Sequence, residues 1–396
     1  MLLNPVSLEQ SCVLVEDFHK FSSENTRVKI QLRNRWKAPV FVLLSSYWRA
    51  KGVDQNKIQN ETFFKDYHFD STVDICESIL YKVQNANVIP HLAHVLLSES
   101  ETIMERFGSI SQFAGNMKDW GSYFGYSSEE SKFDIDTVNP HYRAFTLPQK
   151  FFSEKSFSAI LISNDDNDKC FTHWILLRLL DLYLAEPIIA RLPNPLLVFS
   201  YAPKIWQLQS ISYFFPHTKF SYAIIDTPTL FNQLYLIQSP SNNLYSADYL
   251  SFLYQGFRAR TIPQPRRRVF VSRGDAITRR LINQTELVPL FAKYDFVVVE
   301  LEKMSFEEQT KLVGNASVFI FISGSSGLNL MYAMPDISVG IIQTRGTPEH
   351  WKQVCHVFGI ANVRLFEAIP VDSRSLESSI SVDYDRFDQF LREMIS

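Results

Sequence analysis

The chain has 396 residues, more than a single hydrophobic core usually organises, so two domains are expected. Hydrophobic residues at 46% and charged residues at 20% exclude a disordered or fibrous chain, and a net charge of −3 gives no reason to expect a nucleic-acid partner. Cys12, Cys76, Cys170 and Cys355 form neither a CxxC pair nor a zinc-ligand spacing, and scattered thiols suit a reducing cytoplasm.

In chain order, MLLNPVSLEQ has no basic start or unbroken apolar run, so no secretory signal is predicted there. Residues 1–150 mix short strands and turn signals and predict an irregular N-terminal region packed on the first domain. From 151 to 255 an α/β rhythm predicts an N-terminal Rossmann-like domain. It comprises a strand at 159–163, a helix at about 173–185, a strand at 196–200, a helix at 204–214 and a strand at 222–225. The apolar stretch 174–199 is interrupted by Arg178, Asp181, Glu186 and Arg191, so it reads as core and not as a membrane span. Residues 255–268 contain Gly256, Pro263, Pro265 and the arginines Arg258, Arg260, Arg266, Arg267 and Arg268. They read as a linker, or as a basic surface for peripheral contact with an anionic membrane.

From 266 to 396 the rhythm becomes regular and predicts a C-terminal Rossmann-like domain. Strands are expected at 269–272, 296–301, 318–322, 338–343 and 362–366. Helices are expected after Asn283, after Ser305, after the sequence SGSSG, at 350–358 and at 384–394. Asn283 with Glu286, and Ser305 with Glu308, have capping-box spacing. The strand at 318–322 is apolar throughout, as a parallel strand covered on both faces requires. The 32 phenylalanines favour aromatic interiors, although compositional drift of the source genome gives the same excess.

Directly after that strand stands Ser323-Gly324-Ser325-Ser326-Gly327. At the carboxyl end of a parallel strand the backbone N–H groups opening the next helix are available to an anion, and glycines allow it to approach closely. A tight turn without a ligand has the same spelling. Neither GxGxxG nor GxxxxGK[ST] occurs, which argues against NAD, against ATP hydrolysis and against a single-Rossmann nucleotide-sugar epimerase. Arg273 closes the first strand of the same half, with Arg279 and Arg280 in the following turn. Guanidinium groups pair with phosphate through parallel hydrogen bonds, whereas the plain alternative is a solvated basic turn. The site expected from these residues comprises Arg273, Arg280, Ser323, Gly324, Ser325, Ser326 and Gly327 as contacts to the phosphates of a nucleotide ligand. Glu349, after the fourth strand, is the candidate against ribose or base, and an ordinary acid at a helix N-terminus explains it equally well.

Val271-Ser272-Arg273, Arg280-Leu281-Ile282-Asn283, Met304 to Gln309, Ser323 to Leu328, and Phe171-Thr172-His173-Trp174 together resemble the family 61 glycosyltransferases over roughly residues 160–365. The resemblance implies a GT-B arrangement of two facing Rossmann-like doubly wound domains and transfer from a nucleoside-diphosphate sugar, expected to be a UDP-sugar, to a glycan hydroxyl with inversion. It also implies no metal and no resident cofactor. It further implies that the 151–255 domain holds the acceptor, expected to be a glycan or lipid-linked glycan, and the 266–396 domain the donor, with bacterial capsule or lipopolysaccharide assembly in the cytoplasm, at the inner membrane face, as the expected setting. Gly324 stands where the family loop has His, Gln284 where it has Glu, and Leu177 where the His-Trp helix has an acid. His173, heading that helix, is then a candidate catalytic base, acting with Arg273, because inversion requires a group to take the acceptor proton; a histidine that caps the helix or packs against Trp174 is the plain alternative. Asp165, Asp166 and Asp168 form an acidic loop that spells D-x-D, but a solvated turn explains it. Loss of the acid at 177 supports the alternative of a catalytically silent nucleotide- or glycan-binding protein of the same fold.

Overall fold

The computed structural model describes residues 3–5, 12–15, 27–34, 36–54, 72–75, 78–88, 94–96, 102–104, 149–152 and 157–163. Beyond 166 it describes all but 227–228, 239–245, 261–263, 275, 277, 346–349, 373–374 and 376–377. The chain divides into two compact units, one of residues 1–37 and 74–243, the other of 38–73 and 244–396. Residues 38–73, expected within a region packed on the first domain, fall in the second unit.

The first unit is built on a mixed sheet. Its parallel part runs Ser221–Ile224, Pro195–Phe199, Ser158–Ser163, Thr229–Gln238, with Ala159 opposite both Leu196 and Leu234. The strand Ser158–Ser163 is buried at every residue, as a strand between two neighbours and two covered faces must be. Against the outer side of Thr229–Gln238 lies Ser78–Val88, antiparallel, itself paired with Arg27–Arg33. The N-terminal region thus extends the same sheet, and the Rossmann-like order is its parallel core only.

The second unit carries a six-stranded sheet in the order Phe296–Val299, Arg267–Val271, Ala316–Ile322, Ser338–Thr344, Val363–Pro370, Ile380–Ser381. All neighbours are parallel except the last pair. In sequence terms the first five strands are ordered 2-1-3-4-5, a doubly wound arrangement whose strand order reverses between the first and third strands. One face is filled by rings: Phe270 and Phe291 have centroids 4.4 Å apart, and Phe366, Phe387 and Phe390 continue the cluster. In this unit the abundant phenylalanine is structural.

The helix Phe306–Gly314 has the expected box, with Ser305 and Glu308 bonded reciprocally. At Asn283 the box does not form. The Asn283 amide donates to Val382 O (2.8 Å) and accepts from Val382 N (3.2 Å), and a 3-10 turn, Gln284–Leu287, follows. A partner 99 residues away outcompetes the local one. The stretch read as a linker is helical at its start: Ala247–Arg258 runs through Gly256 and buries Tyr249, Leu250, Leu253, Tyr254 and Phe257. Arg266 pairs with Asp336 (2.5 Å), and Arg268 donates to Tyr294 O (2.8 Å). Arg258, Arg266 and Arg267 are exposed. Among the described residues no helix is long and apolar enough to cross a membrane.

Candidate functional site

The strand order reverses between Arg267–Val271 and Ala316–Ile322, and the carboxyl ends of the strands at such a reversal are where doubly wound sheets bind ligands. Both predicted elements emerge there. After the first strand, Ser272 N donates to Val299 O (2.8 Å), Ser272 Oγ donates to Gln284 Oε1 (2.7 Å), and Gly274 N donates to Ser272 Oγ (3.0 Å). Gln284, standing where the family has Glu, therefore braces the turn that carries Arg273. The Arg273 guanidinium lies against Gly324, with Nη1 in the space a Cβ there would occupy, and Nη2 donates to Thr278 Oγ1 (3.3 Å).

A second guanidinium reaches the loop. Arg279 takes a left-handed step (φ 51°) and donates from Nη1 to Ser323 O at 2.7 Å. Arg280, the neighbour expected to contact the donor, is exposed, and its carbonyl accepts from Ile380 N (2.8 Å). Adjacent arginines cannot be ranked by spelling, since the backbone step at 279 decides which one turns inward.

Ser323 is fastened to the fourth strand through its N–H to Ile342 O (2.8 Å). Gly324 is extended, and the segment that follows, Ser325–Tyr332, is a 3-10 helix and not the expected α-helix. Its opening amides still point along the segment axis towards the mouth. Gly327 N is committed to Gly324 O (3.0 Å), closing the turn. The missing side chain of Gly327 serves packing: a Cβ would lie 2.6 Å from both the Phe321 ring and Trp351 Cε3. Gly327→Ala is accordingly expected to cost about 1–3 kcal/mol by overpacking. Gly324→Ala meets only the flexible end of Arg273 and is expected to leave unfolding nearly unchanged while displacing that guanidinium; paired denaturation and nucleotide titrations of the two variants check this contrast.

Sequence reasoning did not single out Glu300. It follows the second strand, its carboxylate faces Gly274 beside Arg273, and Lys303 Nζ pairs with it at 2.7 Å. Glu349 lies outside the described residues. The structure thus joins Arg273, Arg279, Ser323 and Gly324 at one mouth, with Ser325 and Ser326 opening the helix beside them.

His173 belongs to the other unit. It ends a short turn, Phe171–His173, that runs into a π-helical segment, Trp174–Arg178, and then the helix Leu179–Ile189. Trp174 is buried, donates to Ser210 Oγ (2.8 Å) and stacks on Phe199, so it anchors the half-buried His173 beside it. The wide π turn carries Arg178 inward, where Nε donates to Asp168 Oδ2 (2.7 Å) and Nη1 to Asp181 Oδ2 (3.3 Å). Asp168 also accepts from Ser163 Oγ, and its carbonyl accepts from Gln207 Nε2 (2.9 Å). Asp168 is therefore a fully buried ionic group and not part of a solvated turn. Asp165 lies outside the described residues. Tyr201, whose hydroxyl accepts from Gln207 Nε2 (3.0 Å), has its phenol pKa pushed up to about 12, chiefly by burial and then by the Asp168 charge. The half-buried Leu177 replaces an acid next to this network, and both nearby carboxylates are engaged by Arg178.

No curated protein matches the chain. Among solved structures, the chain is similar to a dodecameric iron-containing heptosyltransferase, TibC, in complex with ADP-D-beta-D-heptose, at 12% identity and a TM-score of 0.25 over 51% of this chain. That match spans 62% of the heptosyltransferase chain, and a likeness of this size adds nothing to the fold described above. The Glycosyltransferase 61 family matches residues 132–340, just over half of the chain. Phe171-Thr172-His173-Trp174, Arg273, Arg279 and Ser323–Gly327 all fall inside that match, and the chain belongs to glycosyltransferase family 61.

Proposed function

We propose that the protein transfers a sugar from a nucleoside-diphosphate donor to a glycan hydroxyl, with inversion at the anomeric carbon. The observation that carries this reading is the meeting of Arg273 with Gly324 across the strand-order reversal, with Arg279 on Ser323 O beside it. Two guanidinium groups and the first amides of the 3-10 segment place positive charge at one mouth, which suits a pyrophosphate. In the transfer, the acceptor oxygen bonds to the anomeric carbon as the bond to the β-phosphate oxygen breaks. The electron pair leaves with the nucleoside diphosphate, where Arg273 offsets the developing charge. The acceptor proton passes to a base, a role given to His173. A UDP-sugar donor, a lipid-linked glycan acceptor and a place in bacterial capsule or lipopolysaccharide assembly complete the reading.

Titration with UDP, GDP and CMP, followed by transfer assays with the corresponding sugars, tests it. Arg273→Ala is expected to weaken nucleotide binding by ~1–3 kcal/mol, roughly 5- to 150-fold. Unchanged binding would remove Arg273 from the site. The silent binding protein is favoured by Leu177 and by the engagement of Asp168 and Asp181 with Arg178. Tight nucleotide binding without turnover on any donor would select it.

A further inference from the structure

The helix Val40–Lys51 precedes the family-matched segment but packs within the same unit as the phosphate loop. Tyr47, Trp48 and Lys51 are all buried, and each donates a side-chain hydrogen bond to the main chain at or near the end of a helical segment. Tyr47 Oη donates to Met331 O (2.8 Å), Trp48 Nε1 to Val357 O (2.9 Å) and Lys51 Nζ to Phe358 O (2.8 Å). Carbonyls in a last turn have no donor within their own helix, so a side chain arriving from elsewhere fixes where that turn stops. Met331 lies in the last turn of the 3-10 helix that opens at the loop, whereas Val357 and Phe358 end the helix His350–Val357.

We propose that Tyr47 is a positioning residue for the phosphate loop: by holding Met331 O it fixes the far end of Ser325–Tyr332 and so the direction of the amides at the near end. The segment is short and buried along its length from Gly327 to Tyr332, and a shift at Met331 is therefore transmitted along it to Ser325. The Tyr47 ring is held independently of its hydroxyl, edge-on to Tyr254 (6.3 Å) and Phe358 (6.4 Å). Burial raises the Tyr47 phenol pKa well above its ordinary value, so the group stays a donor across the working pH range. The inference rests on the diphosphate reading of the loop only for its consequence in binding.

Tyr47→Phe keeps the ring and removes the donor, and Trp48→Phe removes a comparable bond to a different helix. In the full chain without ligand, amide hydrogen exchange over residues 323–332 is expected to quicken about 3- to 10-fold in Tyr47→Phe and to remain as in the wild type in Trp48→Phe. Affinity for UDP or GDP is expected to fall several-fold in Tyr47→Phe and to stay at the wild-type value in Trp48→Phe. Unchanged exchange over 323–332 in Tyr47→Phe, or the same change in both variants, would overturn the proposal. Altered exchange in a protein whose wild type binds neither nucleotide would uphold the positioning role and reject the diphosphate reading.

Discussion

Replacing Arg178 by alanine is expected to cost about 3–5 kcal/mol of stability, because it removes the cation from a buried ionic network and leaves its anions behind. Arg178 is 1% exposed, and Asp168 and Asp181, which it bridges, are 0% and 4% exposed, so water cannot replace the guanidinium without opening the core. The network also ties the loop after Ser158–Ser163 to the π turn, through Ser163 on one side and Gln207 on another. Its loss should therefore loosen the segment that carries His173. Urea denaturation of Arg178→Ala checks the magnitude, and a loss below ~1 kcal/mol would contradict the account. A triple variant with methionine at 178 and asparagine at 168 and 181 should recover much of the stability, since a charge-free core no longer contains unmatched carboxylates.

A comparably large effect is expected of Lys51→Met, with the opposite sign. Lys51 is 4% exposed, with Nζ 5.4 Å from the Tyr47 ring centroid and 5.6 Å from that of Tyr254, and burial lowers its pKa from 10.5 to about 7. Cys355 lies close enough to oppose that shift weakly, but burial raises its own pKa and keeps the thiol protonated. Between pH 7 and 10.5 the unfolded chain holds a proton on Lys51 that the folded chain has released, so this group makes stability rise with pH across that window. Below about pH 7 the ammonium is present in both states and the folded protein bears the full burial cost. Lys51→Met should thus be more stable than the wild type by about 1–4 kcal/mol at pH 6. The wild type should close the gap at about 1.4 kcal/mol per pH unit above pH 7. Denaturation curves at pH 6, 8 and 10 check both parts, and parallel pH profiles would refute them.

Much of the second unit was readable because its determinants are local. Ser305 and Glu308 lie three residues apart and cap one helix, and the all-apolar strand ending at Ile322 announces its own burial. Features set by distant partners were not readable. Asn283 has the spelling of a cap but is claimed by Val382, and Arg279 is turned onto Ser323 by a left-handed step that its sequence does not advertise. The strand Thr229–Gln238, central to the first sheet, was missed because Asn232 and Gln233 interrupt its apolar run; Asn232 is exposed and Gln233 half-buried. The π turn at Trp174–Arg178 gives no sequence signal, because its hydrophobic pattern is that of any buried helix. Of the candidate site, the placing of Arg273 beside the small-residue loop was legible, whereas the positions of Arg279 and Glu300 and the bracing by Gln284 required the sheet order.

The helix Val40–Lys51 also has a consequence for biosynthesis. It leaves the ribosome long before Met331, 284 residues downstream of Tyr47, has been made. Its apolar face must wait, with Tyr47 and Trp48 unsheltered, while the whole intervening segment is translated. Final assembly of the second unit is thereby deferred until the segment around Met331 has been made, and a slow, chaperone-sensitive stage of maturation is the expected cost of that chain order.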